Sequence, residues 1–190
     1  GDAIGSGGVT ALSSGSYVIV SPTWDNGRVV DAGAVTWGDG AAGVSGVVSA
    51  ANSLVGSTAG DGTGSWAVAL TNGSYVVVSP SWDNSLAADV GAVTWGNGVE
   101  GVNGAVSAVN SLVGSTTGDR VGSSGVTALS NGGFVVRSLE WDNGLAADAG
   151  ALTLGNGVAC SSGNVGGTIN AVNSVLGTAA GGGGTLNFSY

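Results

Sequence analysis

The chain has 190 residues, a net charge of −9, 39 glycines, three Lys or Arg in all, and neither histidine nor methionine. Hydrophobic residues make up 43% against 8% charged, which is not the composition of a disordered chain. So few cations exclude phosphate-backbone binding to nucleic acid and adsorption to anionic membranes, and no run of about eighteen apolar residues offers membrane insertion.

The elements come in three copies. Trp24, Trp82 and Trp141 recur at steps of 58 and 59 residues. Asp2, Asp61 and Asp119 keep the same rhythm, as do Asp31, Asp89 and Asp148, and Asn52 with Asn110. Trp37 and Trp95 follow it too, with Leu154 as the third member. Asn173 falls later because residues 158–163, including Cys160, form an insertion. The units are 1–59, 60–117 and 118–180, followed by 181–190.

The second unit shows the pattern best. Ala67–Leu70 and Ser74–Ser79 are β-branched or aromatic runs joined through Thr71-Asn72-Gly73, a hairpin signal, because Asn and Gly tolerate positive φ. Pro80 stops the ladder for want of an N–H. A third strand is expected over Val90–Trp95, and a fourth over Gly104–Ala108 continuing through Asn110–Gly114. No segment keeps a helical period, so the fold is all-β. Four short antiparallel strands in about 58 residues suit one blade of a β-propeller. Three blades are too few to close a ring, so the expectation is a homo-oligomer or part of a longer array. Gly181–Gly184 reads as a connector, and Thr185–Tyr190 alternates like a half-buried closing strand. The start at Gly1-Asp2, without Met, reads as a processed or excised piece.

These features resemble the integrin-α-type, or FG-GAP, propeller repeat. Gly118-Asp119-Arg120-Val121-Gly122-Ser123-Ser124 looks like its opening, and Val76-Val77-Val78-Ser79-Pro80 like its second strand. Gly91-Ala92-Val93-Thr94-Trp95 looks like the third strand and Ser111-Leu112-Val113-Gly114 like the closure. The repeats also look like those of large, secreted, haemagglutinin-like bacterial proteins. The resemblance implies a propeller at the cell surface or outside the cell. It does not carry calcium with it, because the corresponding turns, Ser13-Ser14-Gly15, Thr71-Asn72-Gly73 and Ser130-Asn131-Gly132, hold no carboxylate. No metal or cofactor is expected.

Without His or Lys, and with Cys160 as the one cysteine, the usual nucleophile–base pairs are missing. A carboxylate pair such as Asp83 and Asp89 obeys the repeat, whereas an active site usually breaks one, so no enzyme is expected. The candidate ligand residues are the three corners Trp24-Asp25-Asn26, Trp82-Asp83-Asn84 and Trp141-Asp142-Asn143. An indole face stacks on a sugar ring while Asp and Asn bond its hydroxyls, which makes a glycan or cell-surface partner one reading. The other is an indole packed into the core while Asp and Asn close a turn. Function divides accordingly between non-enzymatic adhesion or lectin-like recognition and a self-assembling structural protein.

Overall fold

The computed structural model describes residues 1–158 and 166–185; the core of the insertion, with Cys160, and the end of the predicted closing strand lie outside the described residues. Unit 1 contributes β1 (Gly8–Ala11), β2 (Tyr17–Ser21), β3 (Ala34–Gly38) and β4 (Ser53–Val55). Unit 2 contributes β5 (Trp66–Ala69), β6 (Tyr75–Ser79), β7 (Ala92–Gly96), β8 (Gly104–Ala105) and β9 (Ser111–Val113). Unit 3 contributes β10 (Val126–Ala128), β11 (Phe134–Ser138), β12 (Ala151–Gly155), β13 (Gly167–Thr168) and β14 (Ser174–Leu176).

Each unit folds as a four-stranded antiparallel meander, β1-β2-β3-β4, β5-β6-β7-β9 and β10-β11-β12-β14. The hairpin forms where Asn-Gly predicts it. Gly73 takes φ 88° and its N–H reaches Leu70 O at 3.2 Å, while Asn72 Oδ1 accepts the Ser74 N–H. Register is pinned on one face by hydroxyl pairs, Thr36 with Ser53 and Thr94 with Ser111, both at 2.7 Å and buried. On the same face Tyr75 lies directly over its cross-strand partner Gly96, where a Cβ would come within 2.1 Å of the ring.

The expected single fourth strand is in fact two. Asn110 breaks it: its Oδ1 accepts the Ser107 N–H at 2.9 Å and its Nδ2 donates to Ala105 O at 2.9 Å, closing a turn. Asn52 and Asn173 close the same turn in their own units. The piece before the turn leaves its own sheet and pairs with the preceding one. Thus β8 lies parallel on β4, and β13 lies parallel on β9.

The sheets pack face to face in chain order. Val18, Val35 and Leu54 on the downstream face of sheet 1 meet Tyr75 and Val77 on the upstream face of sheet 2. Val76, Val78, Val93 and Leu112 then meet Phe134 and Val136 of sheet 3. Sheet 2 is covered on both sides, so β6 is buried throughout, whereas β2 and β11 alternate between buried and half-buried positions. Fully burying such a Val or Leu contributes about 1.5–3 kcal/mol, so the two junctions are a large share of the core. The all-β, three-unit organisation is as expected. Among the described residues the three sheets form no closed barrel.

Candidate functional site

The Trp-Asp-Asn corners follow β2, β6 and β11, and each stays within its own unit. Trp82 is anchored by its N–H to Ser79 O and by its carbonyl, which accepts the Gly91 N–H at 3.0 Å. The indoles face inward: Trp24, Trp82 and Trp141 are 7%, 6% and 4% exposed. Trp82 packs with Ala92, Val106 and Val113, and Trp141 with Ala151 and Ile169. Their faces are therefore already stacked on protein, and in this arrangement they offer no platform for a sugar ring. The indole N–H groups of Trp82 and Trp141 are buried without an acceptor.

The polar members of the corners hold backbone. Asp83 Oδ1 accepts the N–H of Asp89 at 2.7 Å, and Asp25 and Asp142 do the same for Asp31 and Asp148. The three residues that donate, Asp31, Asp89 and Asp148, share a left-handed backbone, φ 50–51°, which a non-glycine residue adopts only at a cost. Asn84 Oδ1 caps the Leu86 and Ala87 N–H groups, while Asn26 and Asn143 donate to Gly56 O and Gly177 O. Of the candidate ligand residues, then, the three tryptophans are buried, and the Asp and Asn side chains are half-buried and engaged in turns.

The chemistry the repeats share most closely lies beside the corners, at the junctions. Asp61 is 0% exposed; its Oδ1 accepts the Asp83 N–H at 3.0 Å, and its Oδ2 accepts those of Ser57 and Thr58 at 2.8 and 2.7 Å. One carboxylate thereby ties the end of unit 1 to the corner of unit 2. Asp119 repeats the arrangement with Asp142, Ser115 and Thr116. Burial pushes both carboxyls above the usual Asp value, although the N–H donors pull the other way. Asp2, the corresponding residue of unit 1, is exposed and accepts the Asp25 N–H at 3.4 Å. The repeat of Asp2, Asp61 and Asp119 is visible in the sequence; that Asp61 and Asp119 join one unit's end to the next unit's corner is not.

Gly181–Gly184 is not a loose connector. Gly181 N–H bonds Ala147 O and Gly183 N–H bonds Asp148 O, just as Gly118 and Arg120 bond Ala88 O and Asp89 O at the opening of unit 3. The segment takes the path of another unit's opening, with Gly182 at the place of Asp61 and Asp119.

Between units 1 and 2 lies a cleft of about 240 Å³ lined by Trp37, Val44, Asn52, Glu100, Val102 and Asn103. Trp37 is only partly buried there, and its Nε1 donates to Gly98 O at 3.3 Å. This cleft, with an indole, a carboxylate and two amides, was not among the sequence candidates, because its residues come from both sides of a junction. Among the described residues no group of three or more His, Cys, Asp or Glu side chains comes together, and no helix is long and apolar enough to cross a membrane.

A comparison with curated proteins finds no match. A family model described as a repeat of unknown function (DUF5650) matches residues 11–65, 69–123 and 128–183, and nothing in that match connects the chain to the FG-GAP repeat. The three matches span most of the chain and coincide with three sheets joined by the same strand exchange and the same junction carboxylate, so the chain belongs to this repeat family.

Proposed function

We propose that the chain is a non-enzymatic structural repeat protein, at the cell surface or outside the cell, whose work is done by assembly of its units. The observation that carries this reading is the strand exchange at both junctions, β8 on β4 and β13 on β9. Each unit lends a strand to the one before it, and the polar side chains of the corners are engaged in the unit's own turns. Junction contacts at the opposite edge, where Thr10 Oγ1 donates to Ala67 O at 3.4 Å, support a stack of sheets as the form of the array. A ring of blades completed by further copies is the other geometry. Sedimentation velocity over a hundredfold range of concentration tests the reading: association is expected, and a monomer throughout would count against it.

A second reading, recognition of a glycan, is favoured by the Trp37 cleft rather than by the Trp-Asp-Asn corners. Trp37 would supply the stacking face, and Glu100, Asn52 and Asn103 the hydroxyl partners. A glycan array probed with the protein and with Trp37→Ala tests it; binding lost in that variant alone supports the cleft as the site.

A further inference from the structure

We infer that the free edge of β14 and the downstream face of sheet 3 dock the Gly46–Val48 segment of a second copy of this chain, in the parallel register that the two internal junctions already use. This rests on the assembly reading above and names its surfaces.

The acceptor side is visible by comparison of equivalent positions. Leu54 and Leu112, at the centres of β4 and β9, are 0% exposed because the next unit covers them. Val175, the same position in β14, is 71% exposed. Among the described residues β14 pairs only with β12. Leu154, at the place of Trp37 and Trp95, is 62% exposed on the same face. An apolar strand with an unpaired edge is a template for another strand.

The donor side is preformed. Gly104 and Gly167, which open β8 and β13, have φ 95° and 94°; Gly46, at the same place in unit 1, has φ 107° although, among the described residues, no strand pairs with it. Asn52 holds the segment by accepting the Ser49 N–H and donating to Val47 O, as Asn110 holds Ser107 and Ala105. Val47 is 87% exposed. Gly104 faces Leu54 and Ala105 faces Val55, and the Val106 N–H bonds Val55 O at 3.0 Å. The same register sets Gly46 against Val175 and Val47 against Leu176, with the Val48 N–H directed to Leu176 O.

Donor and acceptor lie on opposite sides of the stack, so the contact is head-to-tail, and the rotation from copy to copy decides whether it closes into a ring or runs on as an open array. The face departs from the internal junctions at Arg137, which stands where Val20 and Val78 stand, and at Leu154. Association is therefore weaker than an internal junction and depends on concentration.

Two variants in a Cys160→Ser background test the register: Val47→Cys in one chain and Leu176→Cys in another, mixed under mild oxidation. Paired positions of neighbouring strands lie within disulfide reach. The expected result is a Val47→Cys to Leu176→Cys dimer at least tenfold above that formed by Leu176→Cys with Leu86→Cys, an exposed control far from the register. Near-UV circular dichroism confirms that each variant is folded. A dimer no more abundant than the control overturns the proposal. So does a cross-link within one chain between Leu176→Cys and Phe188→Cys, which would give the edge to the chain's own terminus. If the wild type associates in sedimentation while this cross-link fails, the register falls and the assembly reading stands; if it stays monomeric and the cross-link fails, both fall.

Discussion

Asp61 accepts the backbone N–H of Asp83 at 3.0 Å, and through its other oxygen it gathers Ser57 and Thr58 from the unit before. Removing that carboxylate leaves the half-buried Asp83 N–H without its acceptor and hands the N–H groups of the exposed Ser57 and Thr58 to water. Asp61→Ala is expected to cost about 2 kcal/mol, since an orphaned donor shielded from water costs roughly 1–3 kcal/mol and donors that water reaches cost little. Asp2→Ala, at the same place in an exposed unit opening, is expected to stay within about 0.5 kcal/mol of wild type. Urea unfolding of the two variants checks the contrast, and equal losses would contradict a junction role for Asp61.

The same carboxylates set the pH dependence. Burial raises Asp61 and Asp119 above the ordinary Asp value of 3.8, so the folded chain binds protons more readily than the unfolded one between that value and the raised ones. Their contribution to stability is fully present below about 3.8 and is lost as pH rises through the folded-state values. The net charge of −9 acts in the same direction, because acid relieves self-repulsion. Thermal unfolding between pH 3.5 and 7 should show a higher midpoint at the acid end, and Asp61→Asn with Asp119→Asn should flatten the slope. A midpoint that climbs steadily toward pH 7 would reverse the assignment.

Trp82 separates a core role from a ligand role. Its indole is packed on Ala92, Val106 and Val113, yet its N–H has no acceptor. Phenylalanine keeps most of the packing and removes the unpaired donor. Trp82→Phe is therefore expected to cost at most about 1.5 kcal/mol, while Trp82→Ala costs about 3–5 kcal/mol. Denaturant midpoints measure both, and an Ala variant as stable as wild type would return the corner to the list of ligand sites.

Much of this fold is legible in the sequence because repetition reports each element three times. The Asn-Gly hairpin, the strand stop at Pro80 and the three-unit division follow from local rules that the structure obeys. What stays hidden is what crosses between units. Gly104–Ala105 and Ser111–Val113 read as one strand, since their apolar pattern is continuous and only the side-chain bonds of Asn110 divide them. Asp61 stands out in the sequence only as a repeated position, because its partner Asp83 lies 22 residues away and nothing local announces that bond. The tryptophan corners invite a ligand for the same reason: Trp82 carries a platform's chemistry, and only the packing of Val106 and Val113 against it shows that the platform is taken.

The ring of Tyr75 over Gly96 gives a final prediction about how tightly one sheet is set. A Cβ at Gly96 would stand 2.1 Å from Tyr75 Cζ, and Tyr75 is fully buried with its hydroxyl accepting the Val102 N–H at 3.1 Å. The ring cannot lift away without opening the junction core and breaking that bond, so Gly96→Ala is expected to cost about 2–3 kcal/mol as overpacking. Tyr75→Leu alone costs packing and leaves the Val102 N–H without its partner. Combined with Gly96→Ala it should cost less than the sum of the two by at least about 1 kcal/mol, because the smaller side chain makes room for the added methyl. A double-mutant cycle on urea unfolding reads that coupling, and strict additivity would mean that the ring and the glycine do not constrain each other.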